Sequence, residues 1–462
     1  MENKLEKRYG LFTAICMVTG IVIGSGVFFK AQDILNYTDG NMPLGILAWV
    51  IGGAVMIVCS LTFANLAGKY EKVNGVVDYA EATVGKRYAY MVGWYMTTIY
   101  YPAMTSVLAW VSAKYTLSLF GNKDASGGLC MTLSALYLVI AFCFNALSPA
   151  LAGKIQVSAT VIKLVPLVIM AIVGTVAGML NGNLENAFHT AQLEHHTSFS
   201  SVFAGVTAAA FAYEGWIIAT SINAELKNAK RNLPIALAAG TVIIIAVYIA
   251  YYIGLGGGAD IEILRREGST AAFKNLFGPI AGNILNIFIV ISCLGTLNGL
   301  ALAGSRGMYS VAVRGEGPNP EIFSQVDKAT KMPVNSALFS LLICMAWSFY
   351  YYGANLRESI FGLFTFDSSE LPIITIYCFY IPIFVMFIIK EGKKDIFRNI
   401  ILPVFSVIAS LFMLFAAVYA HGISPYLKAM KHGRFSFPVI FYLIVFIAVM
   451  SVGLILNKNK KE

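Results

Sequence analysis

Gly20-Ile-Val-Ile-Gly24-Ser25-Gly26-Val27-Phe28 lies inside the first long apolar segment of the chain and decides how the fold is built. Each glycine weakens a helix by about 1 kcal/mol. Backbone groups that leave a helix inside hydrocarbon must find other partners, so a broken helix is expected where its backbone lines a cavity. Close helix packing is the alternative interpretation, because Gly20 and Gly24 also fit the GxxxG pattern.

A second interruption is predicted in the sixth apolar segment, which contains Phe211-Ala212-Tyr213-Glu214-Gly215-Trp216. An acidic residue here stands beside a glycine in the middle of an otherwise apolar span. An ionisable group inside a membrane is costly unless it faces water or a partner, so Glu214 is a functional candidate. An internal structural ion pair is the alternative.

The composition places the chain among polytopic membrane proteins. Of its 462 residues, 58% are hydrophobic and 12% are charged, whereas soluble domains carry about 25% charged residues. The polar stretches are too short for a catalytic domain, so an enzyme and an ATP-driven pump are not expected. The net charge of +9 resides in loops beside the spans, which does not predict nucleic-acid binding. We predict twelve spans, at residues 10–37, 43–68, 88–119, 128–147, 152–180, 200–223, 233–257, 279–313, 335–352, 357–389, 400–420 and 435–456.

Lysine and arginine are more than twice as frequent on the side of the membrane that holds the N-terminus. This bias predicts that both termini are cytoplasmic. Lys30 is assigned to the outer side. A polar stretch at residues 75–86 is predicted to form a cytoplasmic interfacial helix. The five histidines are expected to be solvated loop residues.

The two interruptions lie five spans apart, and an odd number of spans inverts the second unit relative to the first. Both breaks then meet near the midplane. Half-helix N-termini present N–H groups to an anion, and half-helix C-termini present carbonyls to an ammonium group. The predicted site therefore suits a zwitterion such as an α-amino acid.

The chain resembles the L-amino acid transporter family of the amino acid–polyamine–organocation superfamily in four short motifs. GSGVF at Gly24 resembles the family's GSGIF, and FAYEGW at Phe211 resembles FAYGGW or FAYDGW. Residues 225–234 resemble EELKNPRRNLP, and Asn298-Gly299 with the following Ser-Arg and Arg-Gly-Glu-Gly resemble the eighth-helix signature. The resemblance covers nearly the whole chain.

The resemblance implies an all-α LeuT-type fold, with a 5+5 inverted repeat and two additional helices. The implied divisions are a cytoplasmic N-terminus at 1–9, repeats at 10–180 and 200–389, two extra helices at 400–456 and a cytoplasmic C-terminus at 457–462. It also implies sodium-independent exchange of neutral L-amino acids by alternating access. No cofactor and no metal are expected.

The resemblance assigns the substrate carboxylate to the first break and the α-ammonium group to the carbonyls of the second. Phe211 would be an aromatic gate over the substrate. The predicted substrate-binding residues are Ile23, Gly24, Ser25, Gly26, Val27, Phe211, Ala212, Tyr213, Glu214 and Gly215.

Lys163 is a charged residue deep within the fifth apolar span, where insertion costs about 2.5–3.5 kcal/mol. In the family, a lysine here stands where sodium-coupled relatives bind a cation, and it would tie the fifth helix to the first and eighth. Tyr248 matches a tyrosine near the other sodium position. Thr296 and Asn298 complete this predicted cation-surrogate set. Structural pairing of Lys163 and ordinary packing of Tyr248 are the alternatives.

Several residues depart from the family pattern. Glu214 replaces Gly or Asp, which keeps open exchange of cationic amino acids or polyamines, and proton-coupled symport. Asp367 and Glu370 in the tenth span are three residues apart, so they would share a helix face. They could line the pathway, carry a proton or form a structural polar seam.

The predicted partners are an amino acid substrate and the lipid bilayer. Residues 120–129 contain no cysteine, so a disulfide-linked heavy subunit is not expected, and a monomer in a bacterial inner membrane is predicted.

Overall fold

A computed structural model describes residues 10–24, 26–70, 75–121, 127–148, 158–159, 162–193, 199–217, 226–355, 359–392, 394–433 and 435–458. The regular secondary structure in these ranges is helical. The helices are α1 Leu11–Val22, α2 Gly26–Tyr37, α3 Met42–Lys69, α4 Val76–Thr83, α5 Lys86–Tyr95, α6 Tyr101–Leu119, α7 Gly128–Leu147, α8 Ile162–Asn181, α9 Asn183–Leu193, α10 Phe199–Tyr213, α11 Ala229–Gly258, α12 Ile261–Glu267, α13 Ser269–Ala312, α14 Pro320–Phe323, α15 Val334–Ala354, α16 Leu371–Glu391, α17 Phe397–Met430 and α18 Pro438–Lys458.

Within the described ranges, nine helices are long and apolar enough to cross a membrane. The first and sixth predicted spans contain shorter apolar helices because both are interrupted. The third span consists of α5 and α6, joined by a π-helical turn at Met96–Tyr100. The prediction of an all-α polytopic membrane protein is therefore confirmed.

The tenth predicted span begins later than expected. Its helix α16 starts at Leu371, whereas the prediction placed the start at residue 357; residues 356–358 lie outside the described ranges. The side chain of Asp367 accepts hydrogen bonds from the backbone N–H groups of Ser369 and Glu370, at 2.7 and 2.8 Å. Such bonds compete with helix formation and favour a turn before a helix. Asp367 and Glu370 consequently do not share a helix face, and that expectation was wrong.

The predicted interfacial helix exists as α4, but most of its residues are buried against protein. Asp78 forms an ion pair with Arg314, which follows the end of α13, and Glu81 lies 3.6 Å from the same guanidinium group. These contacts hold α4 against the end of α13.

Helices α8 and α11 approach closely because glycines face each other along the contact. A Cβ atom placed on Gly174 would lie 2.2 Å from the carbonyl oxygen of Gly254, and one on Gly178 would lie 2.3 Å from Cα of Gly257. Small residues permit such backbone approach in membrane proteins. Lys163 on α8 and Tyr248 on α11 are positioned by this packing.

We predict that Gly254→Ala destabilises the protein, because the new Cβ would lie 2.1 Å from the carbonyl oxygen of Met170. Overpacking of this kind costs about 1–3 kcal/mol. Thermal unfolding of the purified protein in detergent should show a lower Tm. Gly68→Ala is the matched control, since its Cβ would meet only the carbonyl oxygen of Lys230 at 3.7 Å. Equal Tm values for the two variants would contradict the close packing of α8 and α11.

Candidate functional site

The first break separates α1 from α2. Helix α1 ends at Val22, and Ile23 has an extended conformation with φ −67° and ψ 102°. Helix α2 begins at Gly26. The first N–H groups of a helix have no partner within that helix, so the first turn of α2 presents donors at the break. Ser25 lies outside the described residues.

The second break follows α10, which ends at Tyr213. Residues 214–217 form a turn, and Gly215 has φ +112°, a conformation that glycine adopts readily. The last carbonyl groups of α10 therefore lack partners within the helix. Residues 218–225 lie outside the described ranges.

The two breaks are in direct contact. A Cβ atom on Gly26 would lie 2.8 Å from Cα of Ala212 and 3.5 Å from the ring of Phe211. The described members of the predicted substrate-binding set are all buried, with Phe211 at 4% exposure and Ala212 at 2%. The site is thus shielded from solvent in this conformation.

Tyr248 of α11 joins the two breaks. Its hydroxyl oxygen lies 3.1 Å from the carbonyl oxygen of Val22 at the end of α1 and 3.1 Å from that of Ala212 in α10. Its ring stacks on Tyr213 with centroids 5.2 Å apart. Tyr213 in turn donates to the carbonyl oxygen of Trp49. The hydroxyl of Tyr248 has a single hydrogen to donate, so the two carbonyls, one at each break, share this one donor.

Lys163 connects three helices, as the sequence predicted. From α8, its ammonium group donates to the carbonyl oxygen of Gly20 in α1 and to the hydroxyl of Thr296 in α13, each at 3.0 Å. A Cβ atom on Gly24 would lie 2.5 Å from the same Thr296 hydroxyl oxygen. A cation beside a helix C-terminus is favoured by the helix dipole. Lys163 is fully buried and contacts the last turn of α1, next to the first break.

Asn298 follows Thr296 by two residues, about half a helical turn, so it lies on a different side of α13 and has a different neighbour. Asn145 of α7 donates from its amide to the carbonyl oxygen of Asn298 at 3.1 Å and to its side-chain oxygen at 2.9 Å. Asn298 therefore contributes to the contact between α7 and α13.

Glu214 is buried and accepts a hydrogen bond from the hydroxyl of Tyr100 in the π-helical turn. In the described part of the chain, no basic side chain lies within ion-pair distance of this carboxyl group. Tyr100 was not predicted as a site residue, because a tyrosine in an aromatic-rich span gives no distinguishing sequence signal.

Lys30, Glu370 and His421 form a second polar group next to Phe211. Lys30, which was assigned to the outer side, is 3% exposed, and its ammonium nitrogen lies 2.6 Å from Glu370. His421 was predicted to be solvated, but its imidazole lies 2.9 Å from the other oxygen of Glu370. The expectation for His421 was wrong, because its imidazole contacts a buried carboxylate inside the protein. The side of the membrane on which Lys30 lies stays a prediction. His195 and His196 lie outside the described residues.

A family model described as "Amino acid permease" matches residues 9–449. The chain belongs to the amino acid permease family. The predicted family resemblance is thereby confirmed, and the protein is a membrane-embedded amino acid transporter rather than a member of an enzyme family.

Three similar proteins illustrate the range of relatives. The serine/threonine exchanger SteT of Bacillus subtilis is 28% identical, over 87% of this chain and 88% of its own. The b(0,+)-type amino acid transporter 1 of Mus musculus is 26% identical, over 92% and 85%. The cystine/glutamate transporter of Homo sapiens is 26% identical, over 75% and 69%. Each of the three similar proteins is matched over at least three quarters of this chain.

We predict that Lys163→Met impairs amino acid uptake and lowers the Tm of the permease while leaving it folded. The substitution leaves the carbonyl of Gly20 without its ammonium donor, and an unsatisfied buried group costs about 1–3 kcal/mol. Uptake into proteoliposomes and thermal unfolding in detergent provide the measurements.

Lys390→Met is the matched control for this variant. Lys390 also donates to a backbone carbonyl, that of Ala82 at 3.0 Å, but it is exposed. A Lys163→Met protein with the uptake and Tm of this control would remove Lys163 from the support of the first break.

Proposed function

We propose that the permease is a sodium-independent exchanger of neutral L-amino acids that works by alternating access. The observation that carries the proposal is the direct contact between the two helix breaks, at Gly26 and Ala212. Backbone donors at one break and backbone acceptors at the other suit a molecule that carries a carboxylate and an ammonium group.

In the proposed complex, the substrate carboxylate accepts hydrogen bonds from the first turn of α2, together with Ile23, Gly24, Ser25 and Val27. The α-ammonium group donates to the carbonyls of Phe211, Ala212 and Glu214 at the end of α10. In this structure the Phe211 carbonyl accepts from the N–H of Glu214 and the Ala212 carbonyl lies beside the hydroxyl of Tyr248, so these bonds are exchanged for bonds to the substrate. Phe211 covers the substrate. This assignment is supported by the burial of the described groups, because polar interactions are stronger where water is excluded.

Lys163 supports sodium independence. A fixed ammonium group already satisfies the carbonyl of Gly20 at the end of α1. Tyr248 and Thr296 contribute further hydrogen bonds around the same helix end. In the proposal these side chains replace the interactions that a bound cation would make with the backbone carbonyls at the first break, so no sodium ion is needed to stabilise it.

The proposed cycle uses two inverted repeats, at residues 10–180 and 200–389, whose breaks form one site near the membrane midplane. Residues 400–456 are additional. Alternating access requires conformations in which the site opens to one side only. The buried site of this structure corresponds to a closed conformation between those states. A monomer with both termini in the cytoplasm of a bacterium is part of the proposal.

Counterflow in proteoliposomes tests the proposal. Vesicles loaded with unlabelled amino acid should accumulate labelled L-serine, with and without sodium and with and without a pH gradient. A panel of neutral, cationic and acidic amino acids and of diamines then defines the substrate class. Accumulation that requires sodium, or that needs no internal amino acid, would contradict the proposed exchange.

Gly26→Val is the inactive control for the same assay. A larger side chain there meets Ala212 and blocks close approach to the backbone of α2. Counterflow by Gly26→Val at the rate of the unmodified protein would exclude the first break as the substrate site.

Exchange of cationic amino acids or polyamines is the second candidate, because Glu214 is buried at the second break and its described side-chain partner is the neutral Tyr100. A buried charge without a partner is costly. A cationic substrate side chain would supply that partner, whereas a proton carried by Glu214 would neutralise it and couple transport to protons.

We expect Glu214→Gln to preserve exchange of neutral amino acids while keeping a hydrogen-bond acceptor for Tyr100. If the second candidate is correct, this variant loses exchange of arginine, lysine or diamines, because the opposite charge is gone. Tyr100→Phe provides a matched control that retains the carboxylate. Cationic exchange that survives Glu214→Gln would show that Glu214 does not recognise side-chain charge.

A further inference from the structure

Lys30, Glu370 and His421 contact one another although they lie on three different elements. The proposed substrate contacts do not explain this group. Lys30 is on α2, Glu370 immediately precedes α16, and His421 is on α17. The two oxygens of Glu370 contact the ammonium group at 2.6 Å and the imidazole at 2.9 Å. We call these three residues the charged triad. It connects the outer half of the first span to the tenth and eleventh spans.

The charged triad is continuous with the substrate site. The ammonium nitrogen of Lys30 lies 5.3 Å from the ring centroid of Phe211 and 5.4 Å from that of Phe29. The two rings pack edge to face, 5.3 Å apart. Lys30 follows Gly26 by one helical turn, so both residues lie on the same side of α2. The ammonium group of Lys30 therefore lies between Glu370 and the aromatic ring of Phe211 beside the substrate site.

We propose that the charged triad is a latch that holds the outer side of the site closed, and that protonation of His421 strengthens it. This inference rests on the proposed alternating access. Closure brings α2 against the start of α16, where Lys30 reaches Glu370. Opening to the outside separates the two elements and breaks the pair.

The charges around the latch explain why a proton favours closure. Asp33 of α2 lies 3.2 Å from Lys30, and Asp367 lies close to both Glu370 and His421. Tyr37 of α2 and Tyr350 and Tyr351 of α15 lie nearby, and phenol side chains carry no charge near neutral pH. Three carboxylates thus surround one lysine. Protonated His421 would reduce the excess negative charge and form an ion pair with Glu370, whereas neutral His421 offers only a hydrogen bond.

Two features distinguish the latch from a metal site. Lys30 already occupies one oxygen of Glu370, and a second cation there would be repelled. The side chain of Asp367 already accepts bonds from two backbone N–H groups and from the hydroxyl of Ser369. Stability alone is also a poor explanation, because a buried ion pair is often no more stabilising than apolar residues of similar volume.

Accessibility of Val27 to a membrane-impermeant maleimide tests the latch without any substrate. Val27 is fully buried at the start of α2. In a chain whose native cysteines are replaced, Val27→Cys should be labelled slowly from outside while the latch is closed. Lys30→Met should increase the labelling rate by roughly fivefold or more, the effect of about 1 kcal/mol of coupling. Lys30→Arg, which keeps the charge, should restore slow labelling.

Two further variants distinguish opening of the latch from general misfolding. Lys30→Met combined with Glu370→Gln removes both members of the closest ion pair, so neither of these two residues is left as a lone charge, and the variant should also be labelled quickly. Lys69→Met removes an ion pair with Glu391, at the opposite end of α16, and should be labelled as slowly as the parent. Slow labelling of the double variant, or fast labelling of Lys69→Met, would overturn the latch.

The proton dependence has its own measurement. After correction for the reactivity of free cysteine, labelling should be slower at about pH 6 than at about pH 8, because histidine titrates across this range. His421→Gln keeps a hydrogen-bond donor for Glu370 but should abolish the difference. An unchanged pH dependence in His421→Gln would overturn the role of His421. Labelling needs no transported substrate, so its outcome is separate from that of the counterflow assay.

Discussion

Every part of the site depends on one constraint, that backbone groups exposed by a helix break inside a membrane must find partners. The carbonyl of Gly20 has the ammonium group of Lys163, and the carbonyls of Val22 and Ala212 share the hydroxyl of Tyr248. Lys163 and Tyr248 lie on α8 and α11. The glycine contacts between these two helices therefore position the side chains that form hydrogen bonds with the carbonyl groups exposed at the first break.

Among the described residues, the side chains that satisfy backbone groups exposed at the first break contact α1 and not α2. The C-terminal end of α1 is satisfied by fixed side chains of the protein, whereas the N-terminal end of α2 presents its donors towards the second break. The positive end of a helix dipole favours an anion. An internal cation at α1 and a substrate anion at α2 would thus balance the two ends of one interrupted helix. This balance is the physical basis for the proposed independence from sodium.

The sequence was sufficient to predict features that depend on local composition. Clustered glycines identified the first break, and Glu214 beside Gly215 identified the second. A lysine in an apolar span predicted that Lys163 has polar partners, and the family resemblance implied which helices supply them. The structure was needed for features that depend on distant residues. Lys30 and Glu370 are 340 positions apart, and neither has a sequence neighbour that identifies the other. Asp367 was misassigned because its side chain caps backbone N–H groups, a role that outweighs helical periodicity.

In the proposed mechanism, helix α2 links recognition of the substrate to closure of the site. Gly26 at its first turn touches Ala212, and Lys30 one turn later contacts Glu370. Because hydrogen-bonded turns of a helix move together, a substrate that holds the start of α2 against α10 also holds Lys30 near α16. Coupling of this kind is reciprocal, so a latch that favours the closed position of α2 favours the bound substrate by the same free energy. This arrangement suits an exchanger, because exchange requires the site to close and reopen mainly when a substrate is bound.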